Sequence, residues 1–272
     1  MRCQIRESRV YSGDYLEVDM FPVRKASSRR KAKAKPSTEA QKRLNEKNAR
    51  KQLTWLVQEN FGTNDLMCEL SYPSDFDYAK AVIGKEFDNF LRAVRREYQK
   101  KGLEFRYVYS VELGEKNRRP HYHLICSGDL GEKLIKDKWN KRFTKKPRVS
   151  YANARHLKFT RTGLAGAAFY ITKDPLLTYR SYCCSKNLKR PQPKKRDGKV
   201  SSKLLKELRK DIYNAEEFER LYPGYEFVDA NPYLDLWDID GNGEATEIEF
   251  PYLTVRLFRK DSKYILRDEQ RA

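Results

Sequence analysis

The sequence contains no uninterrupted apolar run of the roughly 18 residues that a membrane-spanning helix needs, and residues 1–5 lack the apolar core of a secretory leader. Its five cysteines are an odd number and include no Cys-x-x-Cys pair. These absences argue against a membrane protein, a disulfide framework and a cysteine-type zinc site. We therefore expect a cytosolic protein without a membrane partner.

Acidic residues are few and unevenly placed, so that the formal net charge is +19. Residues 24–51 carry twelve lysines and arginines against two acids, and residues 180–210 carry the same numbers. Residues 211–272 reverse the balance, with fifteen acids against seven lysines and arginines. Such segregation favours a nucleic-acid ligand over the alternative, which is solvated tails and helix faces.

The apolar pattern predicts the order β-α-β-β-α-β-α between residues 66 and 173. The expected strands and extended segments are 66–72, 105–112, 121–127 and 148–157, and the expected helices run from Asp75 or Asp77 to Gly102, over 130–140 and over 164–173. The fold class is α+β: a ferredoxin-like, RRM-like antiparallel sheet with helices on one face. An N-terminal strand-like lead and basic helical arm precede it, and an acidic β-rich extension follows.

Histidine is scarce, and two of the three histidines lie in residues 119–126, Arg-Pro-His-Tyr-His-Leu-Ile-Cys. Residues two apart on a strand share a face, so His121 and His123 would present two imidazoles side by side. Such a pair can hold a divalent metal, although strand histidines that merely pack are the alternative. Glu112 ends the preceding strand, and a hairpin would bring it beside His121. It is therefore a better third-ligand candidate than His156.

Tyr170 and Lys173 are three residues apart in a predicted helix and share one face of it. The alternative is a buried tyrosine beside a solvated lysine, and a chance match is common in a chain with 18 tyrosines. The position of the pair after the histidine strand favours a functional role.

Three segments together resemble the motifs of the HUH endonuclease superfamily, specifically of rolling-circle replication initiators (Rep proteins) of small single-stranded DNA phages, plasmids and phage-like elements. They are Leu66-Met67-Cys68-Glu69-Leu70-Ser71-Tyr72-Pro73, Arg119-Pro120-His121-Tyr122-His123-Leu124-Ile125 and Tyr170-Ile171-Thr172-Lys173. In the first, Cys68 and Glu69 stand where threonines are usual. The resemblance divides the chain into an N-terminal strand, linker and helix (1–60), an HUH domain (61–191) and a basic linker with an acidic extension (192–272).

The resemblance implies site-specific nicking and rejoining of single-stranded DNA. His121, His123 and Glu112 would bind Mg²⁺ or Mn²⁺, and Tyr170 would attack the phosphate with help from Lys173. The products would be a 5′-phosphotyrosyl link and a free 3′-hydroxyl. A second catalytic tyrosine, Tyr179 or Tyr182, stays open.

The partners implied are single-stranded or hairpin origin DNA in the cytoplasm of a bacterial host. The nucleic-acid contacts we expect are Arg118, Arg119, Arg180, Lys186, Lys189 and Arg190. No Gly-x-x-x-x-Gly-Lys-Ser/Thr loop occurs, so a host helicase would unwind the DNA and a host polymerase would extend it. The oligomeric state stays open.

Three other functions are weighed against this one. A single-tyrosine transposase would share the chemistry, and a non-catalytic single-strand nucleic-acid binder would share only the sheet. A calcium-regulated protein would rest on residues 238–249, which match an EF-hand loop. Pro232 and Pro251 leave no room for the two flanking helices, so we predict a hairpin there instead.

Overall fold

The computed structural model describes residues 4–23, 39–73, 84–113, 119–143, 152–172, 182–232, 237–239, 245–247 and 251–262. The strands are β1 (Gln4–Ser12), β2 (Tyr15–Val23), β3 (Leu66–Ser71), β4 (Tyr107–Leu113), β5 (Pro120–Cys126), β6 (Ala152–His156), β7 (Cys183–Cys184), β8 (Lys194–Asp197), β9 (Tyr225–Asn231), β10 (Trp237–Ile239), β11 (Ala245–Glu247) and β12 (Leu253–Arg259). The helices are α1 (Glu39–Asn60), α2 (Lys85–Lys100), α3 (Gly131–Asn140), α4 (Ala165–Ile171), α5 (Ser202–Lys210) and α6 (Ala215–Leu221), with a 3-10 turn at Lys141–Phe143.

The chain forms two compact units, each with its own sheet. Unit 1 comprises Met1–Trp55, Arg161–Gly163 and Arg190–Ala272, and unit 2 comprises Leu56–Thr160 and Leu164–Lys189. The division of the chain at residues 60 and 191 stays a prediction.

Unit 2 holds an antiparallel sheet in the order β6-β3-β5-β4-β7. Its first four strands and the helices α2 and α3 follow one another as β-α-β-β-α-β, which is the ferredoxin-like arrangement. The predicted α+β fold is therefore confirmed, and the histidine strand β5 is central. The predicted helix start at Asp75 or Asp77 lies outside the described residues.

Helices α2 and α3 cover one face of this sheet. The buried residues of α2 recur at helical spacing and pack with alternate residues of the strands: Phe87, Phe90, Leu91, Val94 and Tyr98. The Phe87 ring stacks on Tyr122 with centroids 3.9 Å apart. The indole nitrogen of Trp139 in α3 donates to the Ser71 carbonyl at 2.9 Å. Tyr122, between the two histidines, is thus a core residue.

The end of β5 is fixed by a close approach to the turn before β3. A Cβ on Gly128 would lie 1.8 Å from the Asn64 carbonyl oxygen, so only glycine fits. The Asp65 carboxylate accepts hydrogen bonds from the amides of Gly128 at 3.1 Å and Gly62 at 2.8 Å. These contacts hold the two strands that carry the first two motifs.

Unit 1 holds a second antiparallel sheet in the order β8-β1-β2-β12-β9. The N-terminal segment that we expected to be one strand-like lead is a hairpin of β1 and β2, and β2 pairs with β12 near the other end of the chain. Helices α5 and α6 pack on one face through Leu205, Leu208 and Phe218. The C-terminal extension is β-rich as predicted, with these two helices in addition.

The other face of the second sheet carries buried charges. The Lys51 ammonium in α1 lies 3.1 Å from Glu17 and 2.5 Å from Asp19, both buried on β2. The Trp55 indole donates to Glu17 at 2.9 Å. Because buried carboxylates require partners, this lysine stabilises the packing of α1 on the sheet.

The segment that matches an EF-hand loop contains a hairpin. Strands β10 and β11 pair antiparallel, and residues 240–244 between them lie outside the described residues. The element before the hairpin is strand β9 and the one after it is β12, so the hairpin prediction is confirmed. In the described part of the chain, no helix is both long and apolar enough to cross a membrane.

Candidate active site

Strand alternation places both β5 histidines on the sheet face opposite α2 and α3. Tyr122, Leu124 and Cys126 belong to the helix-covered core, so His121 and His123 must lie on the other face. The core alternation of β3 and β4 gives the same division for the neighbouring strands. The two imidazoles therefore occupy the centre of one face.

Strand pairing surrounds the histidines with polar side chains. His121 lies between Ser71 of β3 and Glu112 of β4. His123 lies between Glu69 and Ser110 of the same strands. Six polar residues thus form two rows across three strands, and we call this set the histidine face: Glu69, Ser71, Ser110, Glu112, His121 and His123.

The two imidazoles differ in their surroundings. The His123 side chain is 5% exposed, and neither ring nitrogen forms a hydrogen bond with a described residue, although Nε2 lies 2.7 Å from Glu112 Oε1. His121 is hydrogen-bonded through Nδ1 to the Ser71 hydroxyl at 3.0 Å. Burial, and then the charge of Arg119, lower the pKa of His121. That favours the neutral imidazole, which is the form that binds metals.

This donor set fits a divalent ion in its chemistry. Two neutral imidazoles and a carboxylate are ligands that Mn²⁺ and related ions accept, and the orphaned nitrogens of His123 leave a lone pair for one. Within the described ranges, no three such side chains already form a metal-binding group. The reason is the direct His123–Glu112 contact of 2.7 Å. Two ligands that share one ion with bonds of about 2.1 Å lie about 3 Å apart, so this pair must separate slightly.

Tyr170 of α4 lies directly on the histidine face. Its hydroxyl donates to Glu69 Oε1 at 2.6 Å, and its ring meets His123 edge to face with centroids 4.8 Å apart. The side chain is 40% exposed, so a substrate can reach it. Burial, followed by the hydrogen bond to Glu69, raises the pKa of Tyr170 to about 12. The phenol is therefore protonated at neutral pH.

Helix α4 is anchored to the same face. Ala168 and Ile171 are buried, and the Ser110 hydroxyl donates to the Ile171 carbonyl. The Thr172 hydroxyl donates to the Ala168 carbonyl at 3.1 Å and closes the helix. The anchoring fixes the direction in which Tyr170 leaves the helix. One face of the sheet is thus partly covered by α4 rather than fully open.

The other predicted site residues fall into two groups. Arg118, Tyr179, Arg180 and Lys173 lie outside the described residues. Lys186, Lys189 and Arg190 are exposed after β7, and Arg119 is half-buried close enough to His121 to influence its charge. These roles stay predictions.

His156, the weaker ligand candidate, lies on the opposite face. It pairs with Leu66, whose side chain is in the helix-covered core, and its charge acts on Glu132 of α3. It is therefore separated from His121 and His123 by the sheet itself.

Sequence reasoning missed several residues of this face: Glu69, Ser71, Ser110 and Arg155. One signal was present in β3, where Leu66, Cys68 and Leu70 are apolar while Glu69 and Ser71 alternate with them. That alternation places the two polar residues on one face. Their distance to Tyr170 depends on α4, which no local pattern specifies.

Residues 65–174 match a family model of replication-associated proteins, the ORF2 type. The match supports a Rep-like replication initiator. It spans the whole histidine face and Tyr170. No match is found among curated proteins or solved structures.

Proposed function

We propose that this Rep-like protein is an HUH-type endonuclease that initiates rolling-circle DNA replication. It nicks one DNA strand at the origin and later rejoins it. The observation that carries the proposal is the position of the Tyr170 hydroxyl on the face that holds His121, His123 and Glu112. A nucleophile beside a two-histidine, one-carboxylate set is suited to phosphoryl transfer.

His121, His123 and Glu112 would hold the metal. A divalent ion such as Mg²⁺ or Mn²⁺ supplies positive charge to the scissile phosphate when it is bound. Ser71 keeps His121 in a fixed ring orientation through its hydrogen bond to Nδ1.

Tyr170 attacks the phosphorus through its hydroxyl oxygen. Because its pKa is raised, the proton must leave as the new bond forms, and Glu69 Oε1, which already accepts the hydrogen bond, takes it. The Tyr170 Oη–P bond forms while the P–O3′ bond breaks, and the departing 3′ oxygen takes a proton from water. The DNA 5′ end stays on the tyrosine, and the 3′-hydroxyl serves a host polymerase. Lys173 would steady the phosphate charge.

The substrate is unpaired DNA, either a single strand or the loop of an origin hairpin. Phe169 and Tyr170 are both exposed aromatic residues on α4. Aromatic faces beside basic segments bind single strands by stacking and phosphate contacts. Reversal of the attack by the 3′-hydroxyl rejoins the strand without ATP, and unwinding falls to a host helicase.

The test is covalent capture. The full-length protein is incubated with end-labelled single-stranded oligonucleotides tiled across the replicon that carries its gene, with Mn²⁺ or with EDTA, and run on a denaturing gel. Tyr170→Phe is compared with Tyr213→Phe, a matched control because Tyr213 is 84% exposed in unit 1. We expect a metal-dependent adduct from wild type and Tyr213→Phe and none from Tyr170→Phe.

Two results would contradict the proposal in different ways. An adduct that persists in Tyr170→Phe moves the nucleophile to another tyrosine, with Tyr179 and Tyr182 next to be tested. Gel-shifted but never covalent complexes across all oligonucleotides and both metals would favour the non-catalytic binder.

A further inference from the structure

We propose that Arg155 binds the phosphate that Tyr170 attacks and is a catalytic residue of the same site. This inference rests on the proposed function and adds a substrate contact to it. Arg155 belongs to β6, at the edge of the sheet in unit 2.

Strand register puts Arg155 on the histidine face. Ala152 and Ala154 of β6 pack on the helix-covered side, so Asn153 and Arg155 lie on the other. Asn153 is directly opposite Glu69, which makes Arg155 the diagonal neighbour of Glu69. Diagonal neighbours are about 7–8 Å apart at Cα, within reach of a long side chain. The Tyr170 hydroxyl lies 2.6 Å from that same Glu69.

The guanidinium of Arg155 is available to a ligand. The side chain is exposed, and it makes no hydrogen bond or ion pair with any residue in the described ranges. Arginines that serve structure in this chain are paired instead: Arg142 contacts Glu86 and Arg256 contacts Asp229. An unpaired guanidinium beside two carboxylates of a site is unusual unless an anion is to be bound there.

The charge balance of the face requires such a cation. Glu69 and Glu112 would repel a DNA phosphate that approaches Tyr170, and the charges of both carboxylates act to raise the pKa of the tyrosine. Arg155 acts in the opposite direction on the same hydroxyl, which places its charge within electrostatic range of the attacking oxygen. A guanidinium donates two parallel hydrogen bonds to a phosphate and offsets the charge that develops as the Oη–P bond forms and the P–O3′ bond breaks.

The test separates chemistry from binding. Wild type, Arg155→Ala, Arg155→Lys and Lys101→Ala are compared with the oligonucleotide that gives the strongest adduct with wild type. Lys101 is the matched control because it is an exposed cation at the end of α2, on the other side of the sheet. The rate of adduct formation is measured at saturating DNA. Affinity for a fluorescent single-stranded 20-mer is measured in EDTA at several salt concentrations.

At saturating DNA we expect Arg155→Ala to react about a hundredfold more slowly or worse, as when one preorganised donor is removed from a transition state. Arg155→Lys should lie between it and wild type, because it keeps the charge without the fork. Lys101→Ala should react at the wild-type rate. The dependence of log affinity on log salt should weaken by about 0.7 for Arg155→Ala, the value of one lost single-strand phosphate contact.

A wild-type rate for Arg155→Ala at saturating DNA would overturn the inference, and so would equal losses in Arg155→Ala and Lys101→Ala. If wild type forms no adduct at all, the proposed nuclease function fails, and the salt series still decides. A weaker slope confined to Arg155→Ala would then support a phosphate site without chemistry, and an unchanged slope would refute it.

Discussion

Replacing His123 with phenylalanine should stabilise the metal-free protein and abolish its stabilisation by metal. The His123 side chain is 5% exposed, and both ring nitrogens lack a hydrogen bond to any described residue. A buried polar group left unsatisfied costs about 1–3 kcal/mol. Phenylalanine keeps a ring of similar size in edge-to-face contact with Tyr170, so little packing is lost.

The loss of the Glu112 contact offsets only part of this gain, because Glu112 is 27% exposed and can be solvated by water. We therefore expect His123→Phe to be about 1 kcal/mol more stable than wild type in EDTA. Wild type should gain about 2.7 kcal/mol from a metal at a hundred times its dissociation constant, and the variant should gain none.

Urea unfolding of the full-length chain, in EDTA and in excess Mn²⁺, measures both quantities. His156→Phe is the matched control, since His156 is exposed on the opposite face, and it should change neither result. A His123→Phe protein that loses more than about 1 kcal/mol in EDTA would show a satisfied core histidine. Undiminished stabilisation by Mn²⁺ would show that the metal binds elsewhere. Either result would refute the ligand role.

Three further substitutions test the fold. Lys51→Met should destabilise unit 1 by about 3–5 kcal/mol in urea, because it leaves Glu17 and Asp19 buried without their cation; burial lowers the pKa of Lys51, but the two acids outweigh it and raise the pKa above its ordinary 10.5, so the loss should be equal at pH 7 and pH 9. Phe87→Ala removes a fully buried ring and should cost about 3–5 kcal/mol, with a smaller loss for Phe87→Leu. Gly128→Ala should cost about 1–3 kcal/mol by overpacking, whereas alanine at exposed Gly166, with open space around it, should not lower the unfolding midpoint.

Local pattern predicted unit 2 well because its elements follow one another closely in sequence. The apolar residues of α2, spaced from Phe87 to Tyr98, face the core as their period requires. The alternation of β5 divided Tyr122 from the two histidines correctly. Neighbouring strands joined by a hairpin left few topologies to choose from.

Unit 1 could not be predicted in the same way. Strand β2 pairs with β12, and the register joins Val18 to Val255, far apart in the chain. Neither strand carries information about its partner beyond being apolar. The buried acids Glu17 and Asp19 read as ordinary alternating polar residues of a half-exposed strand, because only the tertiary structure supplies Lys51 above them.

The sequence by itself determined the candidate metal set, since a two-residue period on β5 and a hairpin from β4 suffice to bring His121, His123 and Glu112 together. It also determined the charge segregation that favours a polyanion. Only the tertiary structure decided the rest of the site. The packing of α4 brings Tyr170 to Glu69, and the edge position of β6 brings Arg155 to the same face. These distances depend on contacts between elements that are remote in sequence, and a local periodicity cannot specify such contacts.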